Sequence, residues 1–363
     1  MRFFLRFDRY LMRRFIVTLV FALVVFTVVI MVFDMVEKLD EFIRHKLSWH
    51  VIFRDYYSIF IPYFVSTFLA FFAFISAIFL TSRMAYAYEL VALENSGISP
   101  WRMMVPYWVV ATGVTVASYY LTGWFLPMHA GRMISFEAKY LKRPHYYREV
   151  NIHRRMAPGW FVYMEEYNVR DSIAYKMSLE KFGPSKEMQY KVVSSFARWS
   201  STDSGWWIHD YRIRRFEGEQ MDVVEGRRML VRLPLTPTAF AQHAMLLQVL
   251  TNADLKRFIA EARLKGASEI RYAQVELAKR QALSVAAIIL VTIGFSVASR
   301  RVRGGMGMHL GWGLLIGFSY IVFLHISATA ALKASLPPQL GAWLPNLAYG
   351  ILAIILAVRR QRG

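Results

Sequence analysis

Long apolar runs dominate the pattern of this chain. Phe15–Phe33 holds only two polar residues, both threonine. Further runs cover Ile59–Leu80, Val105–Phe125, Ala282–Ala298, Leu310–Leu332 and Leu340–Val358, and none of the six contains Asp, Glu, Lys or Arg. Each is about 17–23 residues long, close to the ~20 a helix needs to cross a ~30 Å hydrocarbon layer. The run starting at Ala282 is the shortest, and the helical stretch Ser268–Arg280 ahead of it extends it. The first run is too long for the apolar part of a cleaved signal and ends in Phe33-Asp34-Met35, without a small-residue processing site, so it reads as a retained span.

Between the third and fourth runs the period changes. Ile173, Tyr175, Met177 and Leu179 alternate with Ala174, Lys176, Ser178 and Glu180, which predicts a strand with these four on the buried face. Met229, Val231 and Leu233 alternate with arginines in the same way, and Trp207, Tyr211 and Ile213 form a third such face. Turn residues at Gly183-Pro184-Ser185, Asp203-Ser204-Gly205 and Glu225-Gly226 separate the segments. Short strands at this spacing predict a sandwich or jelly roll over about residues 145–240. After Pro237, Leu255, Phe258, Ile259 and Ala262 predict an amphipathic helix, with Asn252 as N-cap and Gly266 as stop. The predicted fold is an α-helical membrane protein with six transmembrane helices and an inserted all-β, jelly-roll-like domain. Residues 1–125 carry spans 1–3, 126–281 the inserted domain and 282–363 spans 4–6.

Charge sets the orientation. The formal net charge of +19 invites a nucleic-acid reading, but its placement argues for topology. Thirteen basic residues, from Arg2 to Arg14, at Arg83 and Arg102, at 300–303 and at 359–362, fall in alternate loops. The short loops opposite hold five: Lys38, Arg44, Lys46, Arg54 and Lys333. The positive-inside rule places both termini in the cytoplasm and the large domain outside, in the periplasm. The chain has no cysteine, which excludes disulfides and thiolate metal sites.

Enzyme chemistry is not written in the chain. It holds no G-x-x-x-x-G-K-[ST] and no H-E-x-x-H, so neither a P-loop nor a zincin site is present. No metal or cofactor is expected. His209-Asp210 falls in a predicted strand and reads as a polar pair facing water rather than a catalytic one. His325 is the histidine deepest in a run, a buried hydrogen-bond partner rather than a proton relay, since no carboxylate accompanies it. Spans without ionisable residues suit an apolar cargo such as lipid tails. The competing class is a membrane enzyme acting on a lipid-linked substrate, which predicts a polar cluster near the outer membrane surface.

Two loops hold candidate function. After the second run, Glu89, Leu90 and Leu93 sit at helical spacing ahead of Gly97 and Pro100, predicting a short helix over about 84–96 at the membrane face. It reads either as a plain connector or as a docking helix for a cytoplasmic partner, with Glu89 presented to a basic residue. At the exit of span 1, Asp34, Glu37, Lys38, Asp40 and Glu41 cluster. They are either solvated or a contact for a phosphorylated lipid through Lys38.

The order of these features resembles the LptF/LptG permeases of lipopolysaccharide export. The resemblance covers nearly the whole length. It rests on Asp8-Arg9-Tyr10-Leu11, Phe33-Asp34-Met35-Val36-Glu37-Lys38-Leu39, Ile61-Pro62-Tyr63, Tyr88-Glu89-Leu90-Val91-Ala92-Leu93, Ser96-Gly97-Ile98-Ser99, Arg301 with Gly304-Gly305, and Leu344-Pro345-Asn346. The exit of span 1 is more similar to LptG, in the form found in Bacteroidota. The resemblance implies a transport subunit without enzymatic activity, paired in the inner membrane with a second LptF/LptG-type permease. It further implies a cytoplasmic ATPase dimer of LptB type docked on the coupling helix through Glu89, Leu90, Leu93 and Arg83. Periplasmic bridge and accessory proteins of LptA and LptC type would receive lipopolysaccharide from the jelly roll. Asp34 and Lys38 are then candidate lipid contacts, and Ile173, Tyr175, Met177 and Leu179 a candidate lipid path. Relatives carry several basic residues at the exit of span 1, where this chain has Lys38 among acids. Relatives also often have a proline after the Arg that precedes span 4, where this chain has Gln281, Ala282, Leu283 and Ser284.

Overall fold

The computed structural model describes the chain apart from residues 1–5, 142–147, 158, 169–170, 184–186, 218–219, 234–246, 248, 266–269, 301–303, 334–335 and 363. The predicted turn residues Pro184 and Ser185, the stop at Gly266, and Pro237 and Arg301 lie outside the described residues. Two compact units result. One comprises Met1–Phe136, Leu250–Ala260 and Arg271–Gly363, the other Glu137–Val249 and Glu261–Ile270.

The first unit is helical. Its elements are α1 (Arg6–Arg44), α2 (Ser58–Tyr86), α3 (Glu89–Asn95), α4 (Pro100–Tyr120) and α5 (Leu126–Phe136). After α6 (Asn252–Lys265) come α7 (Ile270–Ala298), α8 (Gly305–Lys333) and α9 (Pro338–Arg362). Among the described residues six helices are long and apolar enough to cross a membrane, one for each predicted run. The run from Ala282 lies in a helix of 29 residues that begins at Ile270, so the stretch ahead of it does extend the span. α1 has 39 residues and is about 58 Å long at ~1.5 Å per residue, well beyond the hydrocarbon layer. Its ends therefore project, and both carry charge.

Leu11, Phe15 and Leu19 of α1 recur every fourth residue and enter a core with Phe74, Ala77 and Ile78 of α2, Met103 and Tyr107 of α4 and Leu290 and Ile293 of α7. The opposite flank of α1, with Val17, Phe21, Val24 and Val28, is exposed, as are Leu315, Phe318, Val322 and Ile326 of α8. Apolar exposure on this scale belongs in lipid or against a partner, not in water.

Lipid gives helices little hydrophobic reason to associate, so polar ties and small residues hold them. Thr81 Oγ1 donates to Tyr107 Oη at 2.9 Å, and Trp108 Nε1 to Thr292 Oγ1 at 2.9 Å. Asn346, from the Leu344-Pro345-Asn346 segment, ties three helices. It accepts from Tyr320 Oη at 2.7 Å and donates to Ala282 O at 2.7 Å. His325 is exposed on α8, against the expectation of a buried partner. Among the described residues the buried histidine is His309, which meets Ser82 Oγ through Nδ1 at 2.9 Å. α6 is the predicted amphipathic helix, with Leu255 and Ala262 buried. Its cap is Thr251 rather than Asn252, because Thr251 Oγ1 accepts from the Asp254 N–H at 3.3 Å.

The second unit is a six-stranded antiparallel sheet in which each strand pairs with the next. The strands are β1 (Arg148–Ala157), β2 (Trp160–Asn168), β3 (Ile173–Phe182), β4 (Met188–Ser200), β5 (Gly205–Glu217) and β6 (Gln220–Val231). The inserted all-β domain is thus present, and among the described residues its connection is a meander. Its core joins Val162, Met164, Tyr167, Ala174, Met177, Leu179, Val192, Ala197, Trp206, Ile208 and Ile213.

The alternation slips along one line. The pairing skips Asn151, Glu165, Lys176, Ser195, Asp210 and Arg227, which lie side by side across all six strands. Lys176 and Asp210 hold left-handed backbone, with φ of +45° and +47°. In β2 to β5 the odd–even pattern of burial reverses across this row, as it does at a bulge, while the register between neighbouring strands is kept and the apolar face stays continuous. This corrects two readings. Ala174 is fully buried and joins Met177 and Leu179 in the core; Ile173 is buried as expected but lies outside that cluster, and Tyr175 is 41% exposed. In β5 the buried pair before the row is Trp206 and Ile208, not Trp207.

Glu225-Gly226 is not a turn but lies inside β6. A Cβ on Gly226 would sit 2.4 Å from the Tyr211 ring, so glycine makes room for that ring. The turn at Asp203 forms as expected. Its carboxylate accepts from Trp207 Nε1 and Ser200 Oγ, each at 2.8 Å, and these bonds hold it below the usual carboxylate range.

The row is testable. Lys176→Val should destabilise the sheet by about 1 kcal/mol, because a β-branched residue fits left-handed backbone poorly. Lys176→Gly should be close to neutral, trading relief of that strain for an exposed ion pair with Glu165. Urea midpoints of the two variants, followed by tryptophan fluorescence, would decide. Equal midpoints would remove the strain argument.

Candidate functional site: the two ends of the helical unit

At the end where α1 begins and α9 finishes, the chain breaks after α2. Tyr88 holds φ +59°, so the helix expected over 84–96 is two pieces, and α3 restarts at Glu89. Arg83 is exposed in the last turn of α2. Leu90 is 2% exposed and Leu93 packs against the core, while Val91 is 48% exposed. Gly97, at φ +81°, ends α3 as its position predicts. Its N–H donates to Glu94 O at 2.9 Å, and the Ile98 N–H to Leu93 O at 3.1 Å. Ser99 then caps α4 and Pro100 opens it.

Among the described residues three ion pairs bind this end. Arg102 grips Asp8 with both terminal nitrogens, each at 2.6 Å, and the Asp8 carboxylate is fully buried. This fork-on-carboxylate geometry joins α1 to α4. Arg14 approaches Glu89 at 3.6 Å, with more than a third of each side chain exposed. Arg360, 8% exposed near the end of α9, donates through Nη2 to Glu94 Oε1 and through Nε to Ser299 Oγ at 2.7 Å. The sequence pattern assigns no contact to Asp8, Glu94 or Arg360. The one visible hint was Asp8 itself, a lone acid among Arg6, Arg9, Arg13 and Arg14.

At the opposite end of α1, Asp34 and Lys38 are buried together rather than open to solvent. A π-helical segment, Ile52–Tyr57, brings two successive tyrosines to them. Lys38 Nζ donates to Asp34 Oδ1 and to Tyr56 Oη. Tyr56 Oη donates to Asp34 Oδ1 at 3.0 Å, and Tyr57 Oη to Asp34 Oδ2 at 3.2 Å. The ammonium also lies 4.4 Å from the centre of the Tyr56 ring and 5.3 Å from that of Phe60. Below it, Phe60, Phe64 and Phe68 of α2 follow at i+4 with centroids 5.4 and 5.2 Å apart. Phe26 of α1 joins Phe68 at 5.4 Å. An aromatic seam topped by a buried ion pair therefore fastens α1 to α2.

The family model described as "Lipopolysaccharide export system permease LptF/LptG" matches residues 9–359, from just after Asp8 to just before Arg360. The chain belongs to the LptF/LptG family. No curated protein matches it. As an LptF/LptG permease it is a multi-pass inner-membrane transport subunit of the lipopolysaccharide-export ABC transporter, and its six apolar helices fit that setting. The match does not divide LptF from LptG.

In this LptF/LptG chain the predicted docking residues gather on or beside α3. Glu89 and Leu93 are half-buried, Leu90 is buried and Arg83 is exposed. Asp34 and Lys38 form one buried cluster. Of the four predicted β3 positions, Met177 and Leu179 share the core face.

Proposed function

We propose that this chain is one half of a paired LptF/LptG-type permease whose α3 receives the thrust of a separate cytoplasmic ATPase dimer. Both termini lie in the cytoplasm and the sheet domain in the periplasm, as the alternation of arginine-rich loops supports. ATP-driven closure of the dimer pushes the coupling helices together, narrows the cavity along spans 1 and 5, and expels a lipid held there by its tails. The exposed apolar flanks of α1 and α8 support that cavity. The lipid then passes to the apolar face of the sheet at Met177 and Leu179, and on to a periplasmic bridge of similar folds. Asp34 and Lys38 serve this cycle by fixing the exit of span 1 to α2 rather than by direct contact with lipid phosphate. The resemblance of the Phe33–Leu39 segment at the exit of span 1 favours the LptG role.

The observation that carries the reading is the build of α3. It is a separate short helix whose buried Leu90 seats it on the core, while Glu89 and Val91 remain at the surface. Replacing Glu89 with Ala is expected to weaken docking of the ATPase about tenfold, the size of one charge-assisted hydrogen bond. Co-purification with the ATPase and ATP-dependent export in proteoliposomes measure this. Unchanged assembly, ATPase rate and export would remove Glu89 from the interface. A photoreactive residue at Met177 should capture lipopolysaccharide only when ATP is supplied.

A further inference from the structure

We infer that Arg360 is a positioning residue that turns the Glu94 end of the coupling helix into a pivot and carries its motion into the last and fourth spans. The inference rests on the proposed coupling role of α3. The two ends of that helix are held unequally. At Glu89 the Arg14 pair is 3.6 Å long, and both side chains are more than a third exposed. A pair of that kind is worth little and yields readily. At Glu94 the partner is a nearly buried guanidinium with two directed bonds. One goes to the coupling helix, the other to Ser299 just past the end of α7, whose hydroxyl donates to Ser296 O at 3.2 Å.

The backbone reinforces that end. Ser96, Gly97 and Ile98 donate back to Ala92, Glu94 and Leu93, so the last turn of α3 is closed. Arg300 Nη2 reaches Arg359 O at 3.4 Å, a second link between the ends of α7 and α9. A push at Glu89 therefore meets a yielding ion pair at one end of the helix and a fixed one at the other. The helix swings about Glu94, and the load passes through one planar fork to α9 and α7. By position alone Arg360 is one of thirteen topology arginines, but a residue that only meets headgroups would be exposed. Its burial and its two named acceptors set it apart. Lysine presents all its donors from one nitrogen on a flexible stem, without the planar fork that holds two acceptors in fixed directions.

The test uses the full permease pair with its ATPase in proteoliposomes and reads two quantities, ATPase docking and lipid exported per ATP hydrolysed. Arg360→Gln, Arg360→Lys and Glu94→Gln are each expected to lower lipid per ATP about fivefold while docking changes less than about twofold, because the contact surface remains and only the load path is cut. The double exchange Glu94→Arg with Arg360→Glu is expected to restore lipid per ATP to within about twofold. An unchanged ratio in Arg360→Gln, no recovery in the exchanged pair, or a docking loss equal to that of Glu89→Ala would each overturn the strut. Amide exchange over residues 90–96 in the permease without ATPase supplies an independent arm. Exchange there should quicken about tenfold in Arg360→Gln with the β-sheet unaffected, as local opening requires. Unaltered exchange overturns the inference even if no ATPase binds the wild-type chain, an outcome that would sink the coupling role instead.

Discussion

Replacing Asp34 with Ala is expected to destabilise the helical unit by about 3–5 kcal/mol, the usual cost of leaving one buried charge without its partner. Asp34 is 9% exposed and Lys38 6%, so the ammonium left behind cannot reach water without moving α1. Two tyrosine hydroxyls lose their acceptor in the same step. The aromatic rings beneath Lys38 offset part of the loss, at most about 2 kcal/mol for a desolvated cation over a ring. Asp34→Asn keeps one acceptor oxygen and should fall between Ala and wild type. The decisive comparison is the double variant Asp34→Leu with Lys38→Met. Removing both charges in favour of apolar side chains of similar size is often neutral, so it should recover most of the stability. Denaturant unfolding of the full chain in detergent measures all three. A double variant as unstable as Asp34→Ala would show that packing, not the buried charge, carries the effect.

How far this fold could be read beforehand depends on the range of the interactions concerned. The six spans rest on local hydropathy and charge placement, and each apolar run became one long helix. The strands rest on a period of two, which predicted Met177, Leu179, Met229 and Val231 on one face. That reading failed at Tyr175 and Trp207, because the alternation reverses at Lys176 and Asp210. Only alignment of neighbouring strands shows that these fall in one row. The Gly97 stop and Pro100 start were legible because each is a backbone requirement of its own residue. The break at Tyr88 was not, since a tyrosine in left-handed backbone is set by its surroundings. Least legible were the ion pairs. Asp8 and Arg102 are 94 positions apart, and Glu94 and Arg360 are 266. Each looks like ordinary charge near a membrane face until the helices pack. The same holds for His309, buried near the end of a span by a serine on another helix, while His325 in mid-run is exposed.

Gly341→Ala is the second large effect, and its sign opposes helix propensity. A methyl group at Gly341 would lie 2.3 Å from the Ala331 Cβ and 3.2 Å from its Cα, with Ser327 O at 3.3 Å. Neither Ala331 atom is the end of a flexible chain, so α8 and α9 must move apart. Ser327 Oγ also donates to Gly341 O, a buried bond that separation would break. Close approach over small residues is the main source of helix association where lipid replaces water. Overpacking of this kind costs about 1–3 kcal/mol. Gly350 lies on the same helix with nothing within 4 Å of the added carbon. There alanine should stabilise by about 0.5–1 kcal/mol through backbone entropy alone. Thermal unfolding of the two variants should therefore shift in opposite directions. Ala331→Gly should restore part of the loss in Gly341→Ala, because it removes the methyl group that the new one strikes. Matching shifts at positions 341 and 350 would mean that α8 and α9 have slack between them, and that the short Ser327–Gly341 contact does not hold the last two spans together.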